Sequence, residues 1–369
     1  MRLVLSGGGT GGHVYPALSV AAAVREQLPA GETLDLLYVG TMAGNESQIV
    51  ERAEIPFRHV SAAPIRGRLP WQMAANATKI ATGARQARTI LGDFAPQVVF
   101  STGGYASFPV ALAARGRKIP LAVYLPDLVP GWAVRAIARL AQRVAATAVE
   151  SLRRLPSGKT VVTGYPVRSE FYRVDRGGGR QRLGLSPEEK VLFISGGSTG
   201  AQRINRAVAN EISGLLELCE VIHVSGPGDE PWLREIREDL PIGLRNRYHL
   251  HGYMHDEMPW AMAAADLALC RSGASVIGEL PALGLPAVLV PLPLAGAHQR
   301  TNARYLEKHG AAEILEEDSL SDVLPVVGSL LHDEERLRKM RDATRRLARP
   351  NAAARIAAVI MDLAKEPAR

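Results

Sequence analysis

Residues Cys270 to Asn302 read CRSGASVIGELPALGLPAVLVPLPLAGAHQRTN and place several ligand-facing groups between two apolar segments. Leu267 to Cys270 and Ala287 to Val290 have the composition of short buried strands. Between them the turn Ser272-Gly273-Ala274-Ser275 opens a helix, so the backbone N–H groups of Ala274 and Ser275 are expected to hold an anion, with phosphate the natural guest. About one helical turn later comes Glu279, a lone acid in an apolar helix, where a carboxylate can accept both hydroxyls of a ribose. After the next strand, Pro291 to Pro293 lead to His298, Gln299 and Asn302, imidazole and amide groups suited to sugar hydroxyls. Two plainer accounts stand beside this one: the turn as a tight strand-to-helix connection, and Glu279 as a paired structural acid.

A second candidate lies at the start of the chain. Arg2 to Ser6 reads as a buried strand, Gly7-Gly8-Gly9-Thr10-Gly11-Gly12-His13 as a glycine loop, and Tyr15 to Gln27 as a helix. Gly7, Gly9 and Gly12 match the dinucleotide spacing G-x-G-x-x-G. The next strand, Leu34 to Val39, ends in Gly40-Thr41 without the acid that would hold an NAD ribose, which excludes a dehydrogenase. The absence of G-x-x-x-x-G-K-[ST] excludes a P-loop. What remains is a loop whose backbone approaches a phosphate, with His13 at its end. The pattern recurs: SGGGTGGH at residues 6–13 resembles SGGSTGAQ at residues 195–202. The second copy again follows a strand, Val191 to Ser195, and precedes a helical stretch, Ala201 to Leu218.

Strand and helix signals alternate between and after these loops. Strands are expected near Phe57 to Val60, Gln97 to Phe100, Leu121 to Tyr124, Arg143 to Ala146 and Thr160 to Val162, and then near Val221 to Val224 and Tyr248 to His251. Such alternation predicts α/β folding with doubly wound parallel sheets, and ligands beyond the carboxyl ends of the strands. That rule adds the loops Thr102-Gly103-Gly104-Tyr105 and Leu125-Pro126-Asp127 to the candidates. Gly164-Tyr165-Pro166 marks a boundary that separates residues 1–163 from 164–369. The glycine-rich run Arg176 to Arg182 is expected as a loop, and helices from Ser319 to Leu347 and from Ala352 to Lys365, the last free to return to the first domain.

At 369 residues the chain exceeds one ordinary core. No apolar run spans a bilayer and no signal-peptide pattern follows Met1, so a cytoplasmic protein is expected. Cys219 and Cys270 lie in apolar segments and read as buried free thiols. The formal charge of +7 requires an anionic partner. No aromatic-rich basic strand or helix-turn-helix pattern is present, and nucleic acid is not expected. Ile65 to Arg88 sets Ile65, Leu69, Trp71 and Met73 among Arg66, Arg68, Lys79, Arg85 and Arg88, a surface suited to an anionic bilayer or, alternatively, a loop and helix with buried apolar residues. His249, His251 and His255 lack the carboxylate and thiolate companions of a zinc site, so no bound metal or cofactor is expected.

Taken together, Gly8 to His13, Gly103-Gly104-Tyr105, Gly196-Gly197-Ser198 with Gly200-Ala201, and Cys270 to Asn302 resemble glycosyltransferase family 28, UDP-N-acetylglucosamine transferases of GT-B architecture. The resemblance covers nearly the whole chain. It implies two Rossmann-like domains facing across a cleft, the first taking acceptor and membrane and the second UDP-sugar. It also implies inverting transfer of N-acetylglucosamine to the C4 hydroxyl of the muramyl sugar of lipid I, giving lipid II for peptidoglycan. By the same likeness Thr10, Gly11, Gly12 and Tyr105 face the lipid-linked acceptor, Arg168 and Ser198 the donor phosphates, and Glu279 the ribose. Met254 marks the uracil, and His298, Gln299 and Asn302 the N-acetylglucosamine. His13 and Asp127 are the candidate bases. Tyr124-Leu125-Pro126-Asp127 departs from the His-Glu-Gln-Asn usual in that loop, and His298-Gln299 from paired glutamines. A transferase with another lipid acceptor, a UDP-sugar 2-epimerase and a non-catalytic binding module remain as alternatives.

Overall fold

The computed structural model describes residues 1–8, 11–42, 46–64, 70–197, 200–293 and 298–366. The chain divides into two compact units, Met1–Arg168 with Arg349–Arg369 and Ser169–Ala348. The division thus falls five residues after the position expected from the sequence, and the last helix belongs with the first unit.

The first unit is built on a parallel sheet of β1 (Arg2–Gly7), β2 (Asp35–Gly40), β3 (Phe57–His59), β4 (Val98–Gly103), β5 (Leu121–Leu125), β6 (Arg143–Ala146) and β7 (Thr160–Val162). Its order is β3-β2-β1-β4-β5-β6-β7. The central strands are apolar on both faces, as a sheet covered by helices on each side requires. Val4, Val99, Val123 and Val144 are fully buried in one cluster with Leu91, Val110 and Ile137 from the covering helices. The helix Ala352–Lys365 packs on β4 and on the helix Gly11–Gln27, and Gln27 Nε2 donates to Ala354 O at 3.0 Å.

The second unit repeats the plan with β8 (Val191–Ser195), β9 (Glu220–Val224), β10 (Tyr248–His251), β11 (Leu267–Cys270), β12 (Ala287–Leu289) and β13 (Ala312–Ile314), in the order β10-β9-β8-β11-β12-β13. Leu192, Leu269 and Val288 form the middle of its core. In both sheets the order reverses beside the strand that ends in a glycine loop, at β1/β4 and at β8/β11. In open parallel sheets this switch point opens the crevice where ligands bind.

Three local expectations are corrected. Arg176–Leu183 is a helix rather than a loop: Asp175 caps it by accepting from Gly178 N at 2.8 Å, Gly184 closes it at φ 67°, and buried Arg180 pairs with Asp266 at 2.8 Å. Those anchors outweigh three helix-weakening glycines. The span 319–347 is broken into a 3₁₀ turn, Glu317–Asp322, and helices Val323–His332 and Glu334–Arg346, because Asp333 caps the last of them through Arg336 N. The span 201–218 likewise divides at Glu211. Strand β13, three residues long and carrying Glu313, is too short for its pattern to show in the sequence. Among the described residues no helix is long and apolar enough to cross a membrane.

Candidate functional site

The β1/β4 switch point brings His13 to the carboxyl end of β4. The helix Gly11–Gln27 begins inside the glycine loop, so partly buried His13 stands in its first turn. His13 Nδ1 lies 2.8 Å from Thr102 O, and Thr102 Oγ1 donates to His13 O at 2.8 Å. A carbonyl oxygen only accepts, so Nδ1 carries the proton of the neutral ring and Nε2 keeps its lone pair. The loop after β4 can approach so closely because Gly103 and Gly104 adopt φ of 90° and 83°, and a Cβ on Gly104 would come within 2.7 Å of Gly8 O. Tyr105 follows them, half-buried.

Asp127 belongs to the neighbouring loop after β5. That loop is held by Thr147, which the sequence reading passed over: Thr147 Oγ1 lies 2.8 Å from both Leu125 O and Pro126 O and accepts from Tyr124 Oη at 2.6 Å. Burial raises the Tyr124 phenol well above its ordinary pKa, and the Asp127 charge adds to the rise against the Thr147 hydrogen bond. Tyr124 is therefore a fixed donor. Glu46 is a second residue missed in the sequence. Fully buried, it accepts from Thr41 N and Thr41 Oγ1, and its carboxylate sits beside Gly8 and Gly40.

Arg168 closes the first unit's main stretch, half-buried, with its guanidinium 4.5 Å from the centre of the Tyr15 ring.

In the second unit, β11 ends at Cys270 and the chain turns through Ser272 to Ser275 into the helix Val276–Leu283. The first helical bonds are Val276 N to Gly273 O and Glu279 N to Ser275 O, so the amides of Ala274 and Ser275 stand ahead of the helical ladder. Pro281 leaves the helix intact, and Gly284 caps it in a left-handed conformation. Glu279 is half-buried near Cys270: burial first, and then the Glu279 charge, push that thiol up to about 12. The turn is held from two sides. Asn302, fully buried, donates from Nδ2 to Ser272 O at 3.1 Å, and Arg271 pairs with buried Glu317 and donates to Val290 O at 3.3 Å. Gln299 Oε1 accepts from Leu292 N at 3.0 Å, which pins the start of the helix His298–Lys308 to the proline corner. His298 and Gln299 are half-buried, and Met254 is buried just after β10.

A buried chain of polar groups supports the loop after β8. His223, fully buried on β9, bonds Tyr248 Oη at 2.8 Å through Nδ1 and Asn205 Oδ1 at 3.0 Å through Nε2. Asn205 Nδ2 donates to Ser225 O and to Asp229 Oδ2, both at 2.8 Å. Gly200, at φ 76°, leaves no room for a Cβ against Ser225 O, so the same turn braces the glycine loop. No motif announces this network; only the polarity of His223 in an apolar strand hints at it. His249, by contrast, pairs with Glu220 at 2.8 Å, and among the described residues no group of His, Cys, Asp and Glu could hold a metal.

Thr10 and Ser198 lie outside the described residues, as do Ile65 to Leu69 of the basic apolar stretch. The rest of that stretch enters the helix Pro70–Phe94, on which Trp71 is 66% and Met73 51% exposed.

The models of the glycosyltransferase family 28 N-terminal domain and C-terminal domain match residues 3–146 and 191–356. A UDP-N-acetylglucosamine--N-acetylmuramyl-(pentapeptide) pyrophosphoryl-undecaprenol N-acetylglucosamine transferase of Roseiflexus sp. (strain RS-1) is 40% identical, over 98% of this chain and 95% of its own. The solved structure of MurG from Acinetobacter baumannii superposes with a TM-score of 0.75 at 26% identity, covering 98% and 99% of the two chains. UDP-GlcNAc 2-epimerase from Neisseria meningitidis, bound to UDP-GlcNAc, superposes at 0.66 with 18% identity over 98% and 100%, a likeness of fold.

Proposed function

Because the chain belongs to glycosyltransferase family 28, we propose that it moves N-acetylglucosamine from UDP to the C4 hydroxyl of the muramyl sugar of lipid I, with inversion, forming lipid II. The observation that carries this reading is the β8/β11 switch point of the second unit, with a glycine loop on one side and, on the other, a helix N-terminus followed by Glu279 in its first turn. Such a site recognises a nucleoside diphosphate. The amides of Ala274 and Ser275, with Ser198 and Arg168, receive the diphosphate. Glu279 accepts the ribose hydroxyls, the backbone at Met254 reads uracil, and His298 and Gln299 face the sugar. Asn302 acts on the same site through Ser272.

The first unit supplies the acceptor side. Thr10, Gly11, Gly12 and Tyr105 receive the muramyl pyrophosphate. His13 Nε2 takes the proton from O4 as that oxygen bonds to the anomeric carbon, and the bond from this carbon to UDP breaks on the opposite face. Charge building on the departing diphosphate is met by helix N-terminal amides. Asp127, fixed through Thr147, orients the acceptor sugar or His13. The exposed Trp71 and Met73, with the cations of residues 66–88, bring the enzyme to an anionic membrane surface as a peripheral protein.

Leu125-Pro126-Asp127 favours one second reading, a related transferase with another lipid acceptor. A radiolabelled transfer assay with UDP-N-acetylglucosamine, against lipid I and separately against diacylglycerol, tests both. Transfer to lipid I alone is expected; transfer to diacylglycerol alone overturns the acceptor assignment, and product without any lipid overturns transfer itself.

A further inference from the structure

Arg168 is carried to its place by buried Tyr165, Pro166 and Val167, and Tyr165 packs edge-on against Tyr124 with ring centres 6.3 Å apart. The backbone that delivers the arginine is thus fixed, whereas a guanidinium on its long stem is fixed only by what it meets. Among the groups it meets is the ring of Tyr15, at 4.5 Å from the ring centre. The ring lies close over Gly11, where a Cβ would stand 3.1 Å from Tyr15 Cε2, and it stands on the helix two residues after His13.

We propose that Tyr15 is a positioning residue for the nucleotide-sugar diphosphate, acting through Arg168. Stacking engages the flat face of the guanidinium, and anion binding engages its N–H edge, so one arginine can do both at once. A cation already held against a ring loses less rotamer freedom when the diphosphate arrives. Tyr15 touches neither substrate in this account. Its hydroxyl is dispensable and its aromatic face is not. The inference rests on the donor-side reading of Arg168 given above.

The test is a double-mutant cycle read by calorimetry with UDP, on the full chain. Tyr15→Leu and Tyr15→Met are expected to weaken UDP binding about threefold to tenfold, the range of a partly desolvated cation–π contact, and Tyr15→Phe to leave it unchanged. In an Arg168→Ala background the Tyr15 substitutions should add nothing, because the group they position is gone. Two aliphatic replacements are used so that a folding defect in one does not decide the result, and thermal melts confirm each variant is folded. If the Tyr15 penalty is the same with and without Arg168, or if Tyr15→Leu and Tyr15→Met bind UDP normally, the inference is overturned while the donor site stands. If Arg168→Ala alone binds UDP as the parent does, the donor role of Arg168 falls and this inference with it.

Discussion

Asn302 Nδ2 donates to Ser272 O at 3.1 Å with both residues fully buried, which joins the helix after the proline corner to the turn that opens the helix Val276–Leu283. Asn302→Ala would leave that carbonyl without this donor in a dry site, at a cost of about 1–3 kcal/mol. The expected outcome is a lower melting temperature together with a several-fold rise in the KM for UDP-N-acetylglucosamine. Asn302→Asp should be worse, because a carboxylate would face the carbonyl. Lost stability with an unchanged donor KM would confine Asn302 to the fold.

Glu279→Gln tests the proposed ribose contact directly. Replacing a carboxylate by an amide removes a charge-assisted acceptor worth about 1.5–3 kcal/mol, or roughly tenfold to a hundredfold in UDP affinity, with little change in stability. The same change removes the charge that helps raise the Cys270 thiol. Calorimetric titration with UDP is the measurement, and unchanged affinity would refute the assignment.

The basic stretch carries a third expectation. Arg66→Glu with Arg68→Glu should weaken binding to anionic vesicles at low salt and leave UDP binding intact, since surface attraction of this kind is screened within about 10 Å at 0.1 M salt. Co-sedimentation with phosphatidylglycerol vesicles decides it. Unaltered sedimentation removes the electrostatic part of the membrane reading.

Much of this was legible from residues alone, and the reason differs between places. Glycine loops, strand patterns and Glu279 announce themselves because glycine and a lone acid are conspicuous in apolar surroundings. Thr147 and Asn205 were invisible because each acts on backbone far away in sequence: Thr147 on the loop 22 residues earlier, Asn205 on Ser225. Asn302 was legible as polar, yet its partner, the Ser272 carbonyl 30 residues away, was not. Arg176–Leu183 misled because three glycines argue for a loop, whereas a cap at Asp175 and the buried Arg180–Asp266 pair are tertiary facts.

His223 gives the fold a dependence on acid. Desolvation, opposed by the charge of Asp229, lowers its pKa from about 6.5 to about 3. The folded state keeps the ring neutral between Tyr248 and Asn205, while the unfolded state takes a proton below about pH 6.5. Protons therefore favour unfolding, so the stability is complete above about pH 6.5 and declines as pH falls toward 3. Urea unfolding of the parent between pH 7 and 5, compared with His223→Gln, should show the steeper loss in the parent, before most carboxylates titrate. Parallel curves would mean that His223 stays protonated or is open to water.

The base is the sharpest question left to experiment. His13 holds its Nδ1 proton on Thr102 O and so presents Nε2 as an acceptor, whereas Asp127 sits on a loop that Thr147 fixes through two carbonyls. The free Nε2 lone pair of a positioned imidazole is suited to taking a hydroxyl proton as the oxygen attacks. His13→Ala is therefore expected to lower kcat by about a hundredfold to ten-thousandfold, the usual worth of a positioned general base, with donor affinity retained. Asp127→Asn should chiefly raise the acceptor KM. Saturating rates and both KM values must be measured for each variant. If His13→Ala instead raises only the acceptor KM and Asp127→Asn abolishes kcat, the carboxylate is the base and His13 serves the acceptor pyrophosphate.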